Sequence, residues 1–92
     1  MKVGELSRLL YDLNVPPYLY RLDGTHFELA NVLAREDSGW VVFLSERGGR
    51  SSPIAFTSEH DACEHLMGRI ALDLAGMHRL KVLPEGPLRV TE

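Results

Sequence analysis

Residues 39–72, GWVVFLSERGGRSSPIAFTSEHDACEHLMGRIAL, constrain the fold of this chain more than any other stretch. Residues 40–44 are an unbroken run of aromatic, β-branched and aliphatic side chains. Such a run predicts a strand that is covered on at least one face and lies in the centre of its sheet. The glycine pair within ERGGR at 46–50 predicts a tight hairpin turn, because glycine adopts positive φ without steric cost.

The return strand of this hairpin is predicted at residues 51–56, with Ile54 and Phe56 on one face. Pro53 lies inside it and has no N–H to donate to a neighbouring strand. We therefore expect this strand at an edge of the sheet, or with a bulge.

A long amphipathic helix is predicted after the hairpin. Thr57 or Ser58 is the expected N-cap, because a hydroxyl oxygen there accepts a backbone N–H of the first turn. Gly76 is the expected left-handed stop. The apolar stripe that should lie on the sheet comprises Cys63, Leu66, Met67, Ile70, Leu74 and Met77. The far side is predicted to carry His65, Gly68, Arg69 and Leu72.

The first residues predict a second, shorter amphipathic helix. Its apolar positions are Val3, Leu6, Leu9, Leu10 and Leu13. The NVPP sequence at 14–17 ends it, because the residue before a proline is pushed out of the α region. A helix this short is not stable alone, so we expect it to dock on the rest of the fold.

Two further strands are predicted between the first helix and the hairpin. YLYRL at 18–22 reads as a strand, and the Asp23-Gly24 pair after it is a turn signal. FELANVLARE at 27–36 fits either a strand, with Phe27, Leu29 and later alternate positions on one face, or a short helix. The turn signals on both sides favour the strand.

These elements predict an α+β fold of two layers in the order α-β-β-β-β-α. A four-stranded antiparallel meander packs against the C-terminal amphipathic helix, and a short N-terminal helix precedes the sheet. Residues 1–83 are predicted to form one domain. Prolines and a glycine interrupt the last residues, so 84–92 are predicted to be a flexible tail, or to add a marginal edge strand at Leu88–Val90.

Composition narrows the class of partner. Thirteen acidic against ten basic side chains give a net charge of −3, which argues against binding to a phosphate backbone. The single cysteine excludes an intrachain disulfide and fits a reducing compartment. The first residues do not resemble a signal peptide, and no apolar run approaches membrane-spanning length. We therefore expect a soluble, cytoplasmic protein whose partner is neither nucleic acid nor a membrane.

The sequence HDACEH at 60–65 concentrates the residue types that bind metals or act as nucleophiles. Helical geometry separates them, because His60 and Glu64 share a face whereas Cys63 points into the apolar stripe. No CxxC or HExxH spacing is present. We expect no catalytic residue, cofactor or metal. A small enzyme or ligand-binding domain that uses His60, Cys63 and Glu64 remains the alternative.

The tip of the hairpin is the predicted partner-binding element. Glu46, Arg47 and Arg50 place one carboxylate and two guanidiniums on a turn held by two strands, and Trp40 adds a large aromatic side chain. Tryptophan and arginine dominate interface hot spots, and arginine binds carboxylates through two hydrogen bonds. The alternative role for Glu46 and Arg47 is an ion pair across the turn. The loop at 36–37 is expected at the opposite end of the sheet, outside this patch.

The central stretch resembles a family of small bacterial proteins. The residues that carry the resemblance are GWVVF at 39–43, SERG at 45–48, FTSE at 56–59 and ACEHL at 62–66. Members of that family are encoded beside polymorphic toxins, including NAD-hydrolysing toxins, and are taken to be their immunity proteins. The resemblance covers residues 14–72 and implies a non-enzymatic protein that neutralises a cognate toxin by occluding it. A homodimer joined through the edge strand at 51–56 is a further alternative.

Overall fold

The computed structural model describes residues 1–77 and, beyond them, the backbone of Leu80–Val82 and Leu88–Val90. The elements are α1 (Val3–Asp12), a 3₁₀ turn (Pro17–Leu19), β1 (Tyr20–Arg21), β2 (Asn31–Glu36), β3 (Gly39–Glu46), β4 (Gly49–Phe56), α2 (Glu59–Gly76), β5 (Leu80–Val82) and β6 (Leu88–Val90). Strands β1 to β4 form one sheet in that order. The α+β fold predicted from the sequence is confirmed: along the chain, one helix precedes the four-stranded sheet and one follows it.

Strand β3 is the centre of the sheet, because it pairs antiparallel with β2 on one side and β4 on the other. Its side chains are buried on both faces. Val42 packs with Leu33 into the main core, whereas Val41 and Phe43 belong to a second buried cluster. The predicted central strand is therefore confirmed.

The main core lies between the sheet and both helices. From the helices, its fully buried members are Leu6, Leu10, Ala62, Cys63, Leu66, Ile70 and Leu74. Ser58 caps α2 as predicted, since its hydroxyl accepts the Asp61 N–H. The sequence predicted Met77 in the apolar stripe, but α2 ends at Gly76 and the Met77 side chain is exposed. Gly76 is also not a left-handed stop; the C-cap is Met77, at an ordinary negative φ of −89°.

The flank of α2 that carries His65 and Arg69 faces β4, although the sequence predicted it on the far side. The His65 ring lies 5.2 Å from the Phe56 ring. Arg69 donates from Nε to Nε2 of His65 (3.0 Å) and from its terminal Nη2 to the Ser52 carbonyl (2.7 Å). These contacts join the helix to the edge strand.

Strand β4 is both an edge strand and bulged, as Pro53 predicted. It is the last strand of the sheet, and its pairing register with β3 shifts between Val42 and Leu44. Ser52 takes a positive φ of 51° at this shift. The bulge adds a residue to β4 and leaves Pro53 unpaired. Proline has no N–H, so it costs no hydrogen bond with β3 at this position.

The first strand differs from the prediction in length and direction. Residues 18–22 give only the two-residue β1, since Pro17 begins a 3₁₀ turn, and β1 runs parallel to β2 where the sequence predicted antiparallel pairing. Asn31 holds this region together by donating from Nδ2 to the Leu19 carbonyl (3.2 Å) and to the Asp73 carboxylate (2.8 Å). Because parallel neighbours require a crossover, residues 22–30 connect the two strands across the sheet.

Strand β2 begins at Asn31, four residues later than predicted. The Ala30 N–H donates to the Phe27 carbonyl (2.9 Å), and Leu29 has a φ of 65°. This turn replaces the first part of the predicted strand. Residues 31–36 form a strand, which is the alternative that the turn signals favoured, and the helical interpretation was wrong.

A second, smaller core lies on the sheet face opposite the helices. Its buried members are Val32, Ala34, Val41 and Phe43. The crossover at 22–30 lies against this face: the His26 ring is 5.2 Å from the Phe43 ring, and the Gly24 N–H donates to the Leu33 carbonyl (3.1 Å). The crossover therefore shields β2 and β3 from solvent on the side that the helices leave open.

The predicted tail at 84–92 contains β6, which pairs with β5 rather than with the main sheet. The rest of that tail, and the boundary predicted after residue 83, lie outside the described residues. Of the helices that the structure describes, none combines the length and hydropathy needed to cross a membrane.

We predict that Leu66→Ala lowers the free energy of unfolding by about 2–5 kcal/mol, because it leaves a cavity at a fully buried position. Leu72→Ala is the matched control in the same helix. Leu72 is 75 % exposed, so its truncation should change stability by no more than about 0.5 kcal/mol. Denaturant melts of the two variants test the assignment of the helix faces. Equal losses would contradict it.

We also predict that His65 makes the fold less stable as the pH falls below the ordinary histidine pKa. Burial, and then the positive charge of Arg69, hold the pKa of His65 below its usual value. The unfolded chain therefore binds a proton that the folded chain resists, and stability falls as the pH drops from about 6.5 toward the folded pKa. Melting temperatures between about pH 7.5 and pH 5.5 should fall less for His65→Gln than for the parent. Parallel curves would contradict this prediction.

Candidate partner-binding surface

The β3–β4 hairpin turns through Arg47 and Gly48, whose φ values are 53° and 75°. Two left-handed residues define the type I′ turn, for which asparagine, aspartate and glycine are preferred. The sequence predicted that the glycine pair 48–49 would take the two left-handed positions, but they are taken by Arg47 and Gly48. Arg47 therefore occupies a position that glycine would fill without strain. Its side chain is exposed, and no described carboxylate forms an ion pair with its guanidinium, including that of Glu46.

The crossover loop is fastened to this hairpin by backbone hydrogen bonds. Leu29 donates its N–H to the Ser45 carbonyl (2.7 Å), and Ser45 donates in return to the Ala30 carbonyl (2.9 Å). The Arg47 N–H donates to both carboxylate oxygens of Glu28, at 2.9 and 3.3 Å. The loop and the turn therefore form one continuous surface.

Two large apolar side chains of the loop face solvent beside the turn. Phe27 is 44 % exposed and Leu29 is 58 % exposed. The Arg21 guanidinium lies 4.3 Å from the Phe27 ring centroid, which fixes one face of the ring. We call the set Phe27, Glu28, Leu29, Glu46 and Arg47 the tip surface.

The tip surface contains two bulky residues in the left-handed region, Leu29 and Arg47. Such a conformation is uncommon outside glycine, asparagine and aspartate and costs on the order of 1–3 kcal/mol. Exposure of both side chains means that burial does not offset this strain. Strained residues cluster at functional sites, which marks the tip surface as the candidate site.

Arg50 differs from Arg47 because its guanidinium is already engaged. It lies 4.7 Å from the Phe43 ring centroid and 3.0 Å from the Glu36 carboxylate. The loop at 36–37 lies at the end of β3 opposite the hairpin turn, as predicted. The Arg50 side chain nevertheless reaches the Glu36 carboxylate, so one of the predicted site residues is paired with this loop.

Trp40 is not brought together with the other predicted site residues. It lies at the start of β3, at the far end of the strand from Glu46. There it is half-buried against the main core, and the Arg35 guanidinium lies 4.9 Å from its ring centroid. The sequence thus placed Glu46 and Arg47 at the surface correctly and missed Phe27 and Leu29. No glycine or asparagine in FELA signals a left-handed turn there.

The residues of the enzymatic alternative do not converge. Cys63 is fully buried, and this burial, followed by the negative charge of Glu59, raises the pKa of its thiol. His60 and Glu64 are exposed on the other side of the helix, with 3.8 Å between Nε2 and Oε1. His60 Nδ1 also contacts the α-amino group of Met1. Within the described residues, no three histidine, cysteine, aspartate or glutamate side chains are grouped so that they could hold a metal ion.

The edge strand of the homodimer alternative carries features that interrupt strand pairing. Ser52 is left-handed, Pro53 lacks an N–H, and Arg69 occupies the Ser52 carbonyl. Bulges, prolines and charged side chains at an edge disfavour addition of a further strand. Dimerisation through β4 remains a prediction, which light scattering tests directly.

Comparisons of the chain with protein-family models, with curated proteins and with solved structures found no match. Its function is therefore inferred from the chemistry of its own surface and from the resemblance stated above. The tip surface combines exposure, strain and a guanidinium that forms no ion pair within the described residues, and these properties carry the inference.

We predict that the Cys63 thiol reacts slowly with a thiol reagent in the folded protein and rapidly in denaturant. The side chain has no solvent exposure, so labelling requires the fold to open. The rate in native buffer should increase in Leu66→Ala, because that variant populates open states more often. Rapid labelling of the intact fold, with a titration near neutral pH, would instead support thiol chemistry.

Proposed function

We propose that this chain is a non-enzymatic binding protein that uses its tip surface to occlude a partner protein. The observation that carries the proposal is the pair of left-handed residues, Leu29 and Arg47, exposed side by side on a loop and a hairpin that brace each other. On the resemblance to immunity proteins, we propose that the partner is a cognate bacterial toxin, neutralised in the cytoplasm.

The composition of the tip surface fits an interface hot spot. Aromatic residues and arginine are enriched at the centres of interfaces, where apolar side chains fill pockets and guanidiniums bind carboxylates. Phe27 and Leu29 supply the apolar anchors, and Arg47 supplies a cation that is in no ion pair with residues 1–77. The matching partner surface is an apolar cleft with a carboxylate on its rim.

Rigidity favours this role. The loop is pinned by its hydrogen bonds to Ser45 and by the Glu28–Arg47 contact, so little conformational entropy remains to be lost on docking. A projecting, preorganised element can enter an active-site cleft and exclude the substrate. Occlusion of this kind requires no catalytic residue in the occluding protein.

The test is binding to the protein encoded by the neighbouring gene. We expect the parent to co-purify with that protein, and Arg47→Ala and Leu29→Asn each to weaken the complex by about fivefold or more, equivalent to about 1 kcal/mol. Arg8→Ala and Leu72→Ala are matched controls for the loss of an exposed arginine and an exposed leucine elsewhere, and should bind as the parent does.

Stability and binding are separable at Leu29. Asparagine tolerates the left-handed conformation better than leucine, so Leu29→Asn should melt at or above the temperature of the parent. A weakened complex then cannot be attributed to unfolding. If neither Arg47→Ala nor Leu29→Asn weakens the complex, the tip surface is not the interface. If the neighbouring product is harmless without this chain and never binds it, the immunity function is wrong.

A further inference from the structure

All three tyrosines of the chain line one open groove where α1 meets the 3₁₀ turn. The groove encloses about 380 Å³, which is within the size range of small-ligand sites. Besides buried Val15, the residues that form this tyrosine groove are Tyr11, Asn14, Pro16, Pro17, Tyr18 and Tyr20. It is distinct from the tip surface and shares no residue with it.

The end of α1 sets the two walls of the groove. Asn14 takes a φ of 59°, its N–H donates to the Tyr11 carbonyl (3.0 Å), and Val15 donates to the Leu10 carbonyl (3.0 Å). This reversal leaves Tyr11 on the helix wall, 79 % exposed, opposite the tyrosines that follow the proline pair. The proline pair fixes its own backbone φ, so the groove is preformed.

A second groove of about 370 Å³ adjoins the first, because Pro17 and Tyr20 line both. Asp23 lies in this neighbouring groove. Its carboxylate accepts the Thr25 N–H (3.1 Å) and the Thr25 hydroxyl (2.6 Å), and these bonds lower the pKa of Asp23. The Asp23 carboxylate therefore lies beyond the Pro17–Tyr20 ridge. Arg21 lines the same groove, but its guanidinium is held on the Pro17 and Tyr20 carbonyls (2.8 Å each).

The walls of the tyrosine groove favour a ligand with apolar rings and hydrogen-bond acceptors. The planar phenol rings and the apolar pyrrolidine rings provide the contact surfaces, while the hydroxyls of Tyr11 and Tyr20 and the Asn14 amide can donate. No carboxylate lines this groove to accept a ligand N–H. A proline-rich segment in the polyproline II conformation has this chemistry, since its carbonyls are unpaired and proline has no N–H.

We propose that the tyrosine groove binds a proline-rich peptide segment in the polyproline II conformation, with a basic residue of that segment placed at Asp23. Aromatic-lined grooves bind such segments because the ligand is already extended and loses little entropy. The charge of Asp23 complements a lysine or arginine at one end of the segment and so fixes its direction.

The test uses two synthetic peptides of equal length, one an oligoproline with an arginine at each end and the other a glycine-serine chain with the same arginines. Backbone amide NMR shifts of the labelled protein report where each peptide binds. We expect the oligoproline peptide to shift the amides of residues 11–23 that have an N–H, and the glycine-serine peptide to shift none of them.

Variants locate the contacts. Tyr11→Ala should weaken the oligoproline complex by about fivefold or more, whereas Tyr11→Phe should retain the ring contacts and lose less. Asp23→Asn should abolish the preference for arginine-flanked over uncharged oligoproline. Leu72→Ala and the tip variant Arg47→Ala should bind as the parent does, which separates this site from the proposed function.

The proposal would be overturned by equal binding of both peptides, by amide shifts outside 11–23 or by an unchanged affinity in Tyr11→Ala. Binding of a soluble oligosaccharide in place of oligoproline would overturn it as well.

Discussion

Strand β3 is apolar on both faces, and the rest of the structure depends on covering them. On one face Val42 is covered by α1 and α2, whose leucines complete the main core. On the other face Val41 and Phe43 would remain in water, and burial of large apolar side chains is worth about 1.5–3 kcal/mol each. The described residues contain no third α-helix that could cover that face. The crossover at 22–30 provides the cover instead.

This solution explains why the candidate site lies where it does. A loop that covers a sheet face must direct some side chains inward and others outward. His26 turns toward Phe43 and Ser45, while Phe27 and Leu29 point away. The hydrogen bonds that seat the loop use the backbone of Ser45, immediately before the hairpin turn. The element that completes the outer core is thus the element that presents the tip surface.

The parts of the fold that could be predicted from the sequence are those with local signals. The apolar run of β3, the glycines of the turn, Pro53 and the Ser58 cap each specify their own neighbourhood, and the structure contains each element. The direction of β1 and the start of β2 depend on the crossover. That path is set by contacts between distant residues, such as Asn31 with Asp73, for which no local pattern exists. The sequence predicted Leu29 in a strand because no local pattern signals the turn that ends at Ala30.

Arg50 shows why the candidate site was only partly predictable. Its position in the hairpin follows from sequence, but its partner depends on how far a flexible side chain reaches across a sheet. The guanidinium lies over the Phe43 ring and forms an ion pair with Glu36. Arg47 is attached to the same turn, yet the left-handed backbone directs its side chain away from the sheet, and its N–H rather than its guanidinium holds Glu28. Of the two arginines of the hairpin, Arg50 thus packs on the outer face of the sheet, whereas Arg47 stays exposed at the turn.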